Sequence, residues 1–233
     1  MLNFSNLYRL QVKFQKVMFR GKTQSKWFLF SLTLIILLPF PIYIFPENKT
    51  LIFEIALSLV VFFGVQLVSD TLKHFLIGLL LGTTSLLMIW LNFLESEVFQ
   101  IILLKSISIL IFLIYIGYYL LSFLKYTKII NLNMILVSIA GYLLLGIFGG
   151  QLFSLLYAVD PNAFNINGNN QLFNLTYYSF TTLTSLGFGD ILPTSARAQS
   201  LSLIIGLAGE LYITILVAII IGKYLMQNQS PTQ

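Results

Sequence analysis

The chain has 233 residues, of which 58% are apolar and 9% charged, with a formal net charge of +5. A soluble domain carries about 25% charged residues, so this composition excludes one and calls for a lipid solvent. The chain holds no cysteine, which excludes disulfides and thiolate metal sites.

In chain order, residues 1–26 come first. Their charges are spread widely and no small-residue cleavage site follows, so they do not read as a removable signal. Arg9, Lys13, Lys16 and Arg20 recur at helical spacing, with Leu7, Leu10, Phe14 and Val17 on another face. That pattern predicts a basic amphipathic helix. Two placements fit it: on the anionic lipid of the inner leaflet, or against the protein's own cytoplasmic side.

Six apolar runs follow, each near the roughly 20 residues needed to span a bilayer. They are Trp27 to Phe45, Leu51 to Ser69, Phe75 to Phe93, Val98 to Phe123, Leu132 to Tyr157 and Ala198 to Met226. With the N-terminus inside, ten of the thirteen basic residues fall on the inner side, and only Lys49, Lys105 and Arg197 fall outside. The positive-inside rule therefore predicts a multi-pass plasma-membrane protein with both termini cytoplasmic. The net charge is a topology signal; nucleic acid is not expected as a partner. His74, at the start of the third run, reads as a solvated interfacial residue. Lys105, in the fourth, reads as a cation snorkelling to the outer interface, with Glu54 as an available ion-pair partner. A polar loop at Lys125 to Asn131 divides the chain into a four-helix unit, 27–124, and a second unit, 125–233.

The second unit carries the chemistry. Phe173 to Thr184 is amphipathic and too short to cross, so it is expected to be re-entrant, at membrane depth but surrounded by protein. It leads into Ser185-Leu-Gly-Phe-Gly-Asp190. Successive carbonyls of an ordinary strand point to opposite sides. Aiming them at one axis requires left-handed angles at alternate residues, which glycine adopts at little cost. Gly187 and Gly189 have that spacing. The carbonyls of Ser185, Leu186, Gly187 and Phe188 would then replace the water shell of an ion. The Ser185 hydroxyl would add an oxygen at the inner end. Leu186 and Phe188 would pack backwards on the short helix, Thr181 and Thr184 would support the loop, and Asp190 would stand behind the outer mouth.

The segment from Leu172 to Tyr224 resembles the pore loop of the tetrameric potassium-channel family, whose pattern is Thr-Val-Gly-Tyr-Gly-Asp. Tyr177-Tyr-Ser-Phe180 stands at the place of that family's pore-helix aromatics. The resemblance implies an all-α membrane protein of six transmembrane helices, a pore helix and a filter loop. It implies a homotetramer with potassium as the permeant ion at Ser185 to Phe188, Gly189 closing the filter, and no cofactor. The chain departs at Ser185 (family Thr), Leu186 (family Val or Ile) and Phe188 (family Tyr), and each change loosens the filter. In voltage-gated relatives the fourth helix carries a cation at every third residue; here the run holds only Lys105. The first four helices therefore read as a sensor-like scaffold without gating charges.

Glu210 lies near mid-membrane beside Gly209, which stands at the family's hinge glycine. Two uses fit Glu210: facing the cavity as part of an anionic ring, or bonded to pore-helix hydroxyls such as Thr181 or Thr182. Few residues follow Met226, so no regulatory domain is expected there. The sequence thus predicts a passive, potassium-preferring channel with weak or no voltage dependence. A weakly selective monovalent cation channel and a non-conducting scaffold or accessory subunit are the alternatives. An enzyme is not expected, because the spans offer few convergent polar groups.

Overall fold

The computed structural model of the chain describes residues 21–94, 98–127, 130–166 and 171–228. The amphipathic helix expected within residues 1–26 lies almost wholly outside them. Among the described residues the regular structure is helical: α1 (Gly21–Ile36), α2 (Pro39–Ile44), α3 (Lys49–Leu67), α4 (Leu72–Leu94), α5 (Phe99–Tyr126), α6 (Leu132–Val159), α7 (Gln171–Leu183) and α8 (Ala196–Asn228). A single 3-10 turn, Pro46–Asn48, joins α2 to α3. Helices follow from the solvent: in hydrocarbon every backbone group must be bonded within the segment.

Five of these helices, α3, α4, α5, α6 and α8, are long and apolar enough to cross a membrane. The first of the six expected spans does not form one such helix. It is divided at Leu37–Leu38 into a 16-residue and a 6-residue piece. The cause is local: Pro39 and Pro41 supply no amide hydrogens, and a proline ring crowds the carbonyl four residues back. The chain turns there through bonds from the Leu37 amide to Thr33 and Leu34, both 3.1 Å.

The helices pack mainly as sequential neighbours, α3 on α4, α4 on α5 and α5 on α6, with α1 closing the layer against α3 and α6. Its core holds Phe28, Leu57, Phe112, Ile116 and Val137. Small residues bring the helices close, as is usual in lipid: a Cβ on Gly82 would stand 2.4 Å from the Val65 side chain. At one end of this layer α6 holds α7 and α8. The 13 residues of α7 extend only about 20 Å, short of a bilayer's hydrocarbon core. The turn at Asn131 starts α6 with its side chain accepting the Met134 amide at 2.9 Å, a standard N-cap.

The fourth run brings a correction. Lys105 does not snorkel: its ammonium is paired with the Glu54 carboxylate, and the two residues are 2% and 0% exposed. Hydrocarbon leaves a lone charge no solvent, so the pair neutralises itself inside the bundle. His74 is likewise half-buried rather than solvated, its Nδ1 3.0 Å from the Tyr115 hydroxyl.

Candidate functional site

The candidate site begins where α7 ends. The helix is seated in a notch cut by glycines in α6. A Cβ on Gly146 would lie 2.2 Å from the Phe180 ring, and one on Gly149 2.3 Å from Ser179 Oγ. The Ser179 hydroxyl uses this approach to donate to the Gly146 carbonyl at 2.7 Å. At the C-terminal end of α7 the Tyr142 hydroxyl donates to the Leu183 carbonyl at 3.2 Å. The last turn then closes on itself. The Thr184 amide and hydroxyl both donate to the Phe180 carbonyl, at 3.0 and 2.7 Å. The Gly187 amide folds back to the Thr181 carbonyl at 3.2 Å, and the Thr181 hydroxyl donates to the Tyr178 carbonyl at 3.0 Å.

From there the backbone alternates. Among the described residues positive φ is confined to Ser185 (57°), Gly187 (52°) and Gly189 (78°). Leu186 and Phe188, between them, have negative φ. Every residue from Thr184 to Asp190 is exposed in the single chain. Ser185 was not foreseen in this set. A left-handed angle costs a non-glycine residue about 1–2 kcal/mol. The offsetting contact is a hydrogen bond from the Ser185 hydroxyl to Glu210 Oε1 at 2.7 Å, strengthened by the carboxylate's charge.

That bond bears on two expectations. The Ser185 hydroxyl donates its proton to a side chain, which leaves its oxygen lone pairs free toward an ion. Of the two uses expected of Glu210, facing the cavity and bonding pore-helix hydroxyls, the second takes a different partner, Ser185 of the loop. Glu210 also lies on an exposed face of α8, so one residue combines an open carboxylate with a brace on the loop. The Phe188 ring stacks on Tyr177 of α7, with centroids 6.5 Å apart and planes 5° from parallel. Leu186 does not pack backwards within the chain; 62% of its surface is open. Asp190 interacts with the Tyr177 phenol. Desolvation first, and then the hydrogen bond and charge of Asp190, raise that phenol above its ordinary value and keep it a donor.

Residues 134–226 match the family model described as "Ion channel". The match makes this segment similar to ion channels. The matched segment, here the channel domain, starts two residues into α6 and ends in the last turns of α8; α1 to α5 lie outside the match. No match was found among curated proteins or among solved structures.

Within the channel domain, the loop is anchored at both ends. Beyond Asp190 the Asn165 amide side chain accepts from Leu192 N–H at 2.5 Å, and the Asn165 N–H donates to the Leu192 carbonyl at 3.1 Å. Phe153, Phe164 and Tyr178 form one aromatic cluster beneath, with ring centroids 5.0 to 5.5 Å apart. The Tyr178 hydroxyl meets Ser202 Oγ of α8 at 2.8 Å. Sequence reading missed Tyr142, Asn165 and the α6 glycines as supports. The glycine spacing on α6 was the available signal. Gly209, expected as a hinge, has a packing task. A Cβ there would stand 2.2 Å from the Leu183 carbonyl oxygen, so it lets α8 touch the base of the loop.

Among the described residues, no three His, Asp or Glu side chains converge to hold a metal ion. The loop carries a row of backbone carbonyls, together with the side-chain oxygens of Ser185 and Asp190.

Proposed function

We propose that four copies of this chain form a pore that conducts monovalent cations passively and prefers potassium, with weak or no voltage dependence. One observation carries the reading: left-handed angles at every second residue, Ser185, Gly187 and Gly189, on a segment exposed from Thr184 to Asp190. Alternating the sign of φ turns successive carbonyls to one side. The carbonyls of Ser185, Leu186, Gly187 and Phe188 then form one wall of an ion path. A single wall cannot replace a hydration shell, whereas four around an axis can. The sparse cover on α8 supports the same assembly: 11% of an apolar 18-residue stretch of it is buried within the chain, against 50% for α6.

In this reading Gly189 and Asp190 close the outer mouth, and Tyr177 holds Asp190. Glu210 braces Ser185 and adds negative potential beneath the filter, raising the local cation concentration. The sequence charge asymmetry supports cytoplasmic termini in a plasma membrane.

A weakly selective monovalent cation channel is favoured by a specific observation. Leu186 has no packing behind it in the chain, with 62% of its surface open, so the filter has no support from the chain at that residue. Purified protein reconstituted in planar bilayers separates these readings. Under opposed potassium and sodium gradients, a reversal potential close to the potassium equilibrium value is expected. Reversal near zero would replace the first reading with the second. Absence of any current would leave a scaffold.

A further inference from the structure

A cavity of about 600 Å³ lies between helices α2 to α5 and the channel domain, at the end of the bundle where the filter loop closes. Its walls include Phe53 of α3, Phe99 of α5 and Phe173 of α7, and it is lined as well by Glu54, Asn92 and Lys105. The polar part is unfinished. Glu54 Oε1 is taken by Lys105, but Glu54 Oε2 and Asn92 Oδ1 have no hydrogen-bond partner. Asn92 is 9% exposed and Glu54 fully buried. An orphaned buried acceptor costs about 1–3 kcal/mol, so both oxygens favour an occupant that donates.

We infer that this cavity binds a neutral, single-chain amphiphile whose head donates a hydrogen bond, such as a long-chain alcohol or a monoacylglycerol. Size supports an organic occupant, since the volume lies within the roughly 300–1,000 Å³ of small-molecule sites. Charge disfavours a cationic head: Lys105 cancels Glu54, and Lys49 adds a positive charge to the lining. The two bare acceptor oxygens disfavour an anionic head, which leaves a neutral donor. The aromatic walls accept an apolar body, and its hydroxyl satisfies the two oxygens once the Glu54 and Asn92 side chains turn into the cavity, since neither oxygen is open to it at rest. The occupant touches α3, α4 and α5 together with α6 and α7, and so links the scaffold to the channel domain.

The test compares dodecanol with dodecyl methyl ether, which has a similar apolar body but no donor. The readout is the thermal midpoint of the purified protein in detergent, and does not depend on what the pore conducts. At ten times its half-saturating concentration, dodecanol should raise the midpoint by about 3–5 °C, and the ether by less than half as much. Asn92→Leu removes one acceptor and should weaken the apparent dodecanol affinity at least threefold. Ala158→Trp fills the cavity and should abolish the response to both. Equal shifts by alcohol and ether would mean an apolar site that does not read the donor, and no shift by either would leave water as the occupant; each outcome would overturn the proposal. So would an unchanged dodecanol affinity in Asn92→Leu, even if Ala158→Trp fails to fold.

Discussion

At Ser185 two local energies oppose each other. Its φ of 57° costs about 1–2 kcal/mol, and its bond to Glu210 returns about 1.5–3 kcal/mol, the range for a charged acceptor. Ser185→Ala loses the bond and keeps the strain. Ser185→Gly loses the bond and sheds the strain. The alanine variant should therefore have the lower thermal midpoint, by the equivalent of about 1 kcal/mol; equal midpoints would show that the angle is unstrained. Gly187 and Gly189 have positive φ and nothing within 4 Å of a built Cβ. Alanine there meets no clash within the chain, so inside one subunit the substitution acts on backbone angle alone. Gly187→Ala and Gly189→Ala should abolish potassium current in bilayers while the oligomer elutes unchanged from a sizing column. Preserved selective current in both would remove the filter assignment. The glycines were legible in sequence because their task is local. The Ser185–Glu210 bond was not, because it joins residues 25 apart on two elements whose approach only the fold defines.

Between elements, the contact of α8 with the end of α7 is set by Gly209. A methyl group there would overlap the Leu183 carbonyl, and backbone cannot swing aside as a side chain can. Gly209→Ala should lower the thermal midpoint by the equivalent of about 1–3 kcal/mol, the usual cost of overpacking. Gly206→Ala is the control: its Cβ would sit 3.6 Å from the Thr182 carbonyl oxygen, an ordinary contact. If Gly209 were only a hinge, its alanine variant would keep the wild-type midpoint and change gating kinetics alone. The long spans were readable from hydropathy because lipid enforces helix wherever an apolar run is long enough. The division of the first span was readable too. Pro39 and Pro41 mark it, and counting apolar residues without weighing the missing amides hides it. The Lys105–Glu54 pair, 51 residues apart, was available as a pairing, but its burial depends on how α3 meets α5.

Across the whole molecule, the scaffold and the channel domain are joined at both ends. At the mouth end they share the cavity. At the opposite end Lys223 of α8 donates to the carbonyls of Leu124 and Thr127, groups that the end of α5 leaves without helical partners. Gln227 accepts the Ile130 amide at 3.2 Å. In the proposed pore, these contacts give a movement of the first helices a route to α8. Voltage has little with which to drive that movement. One charge crossing the full field contributes about 2.3 kcal/mol per 100 mV. In α5, however, Lys105 is bound to Glu54, and a pair that moves together carries no net charge. Lys125 lies in the last turn of α5, at the edge of the field. Open probability should therefore be nearly flat from about −100 to +100 mV, measured from single-channel records in symmetrical potassium. A steep sigmoid with several gating charges per subunit would mean that the Lys105–Glu54 pair breaks during opening. In that case Glu54→Gln would shift the midpoint voltage, whereas a voltage-blind scaffold predicts a flat curve in that variant as well.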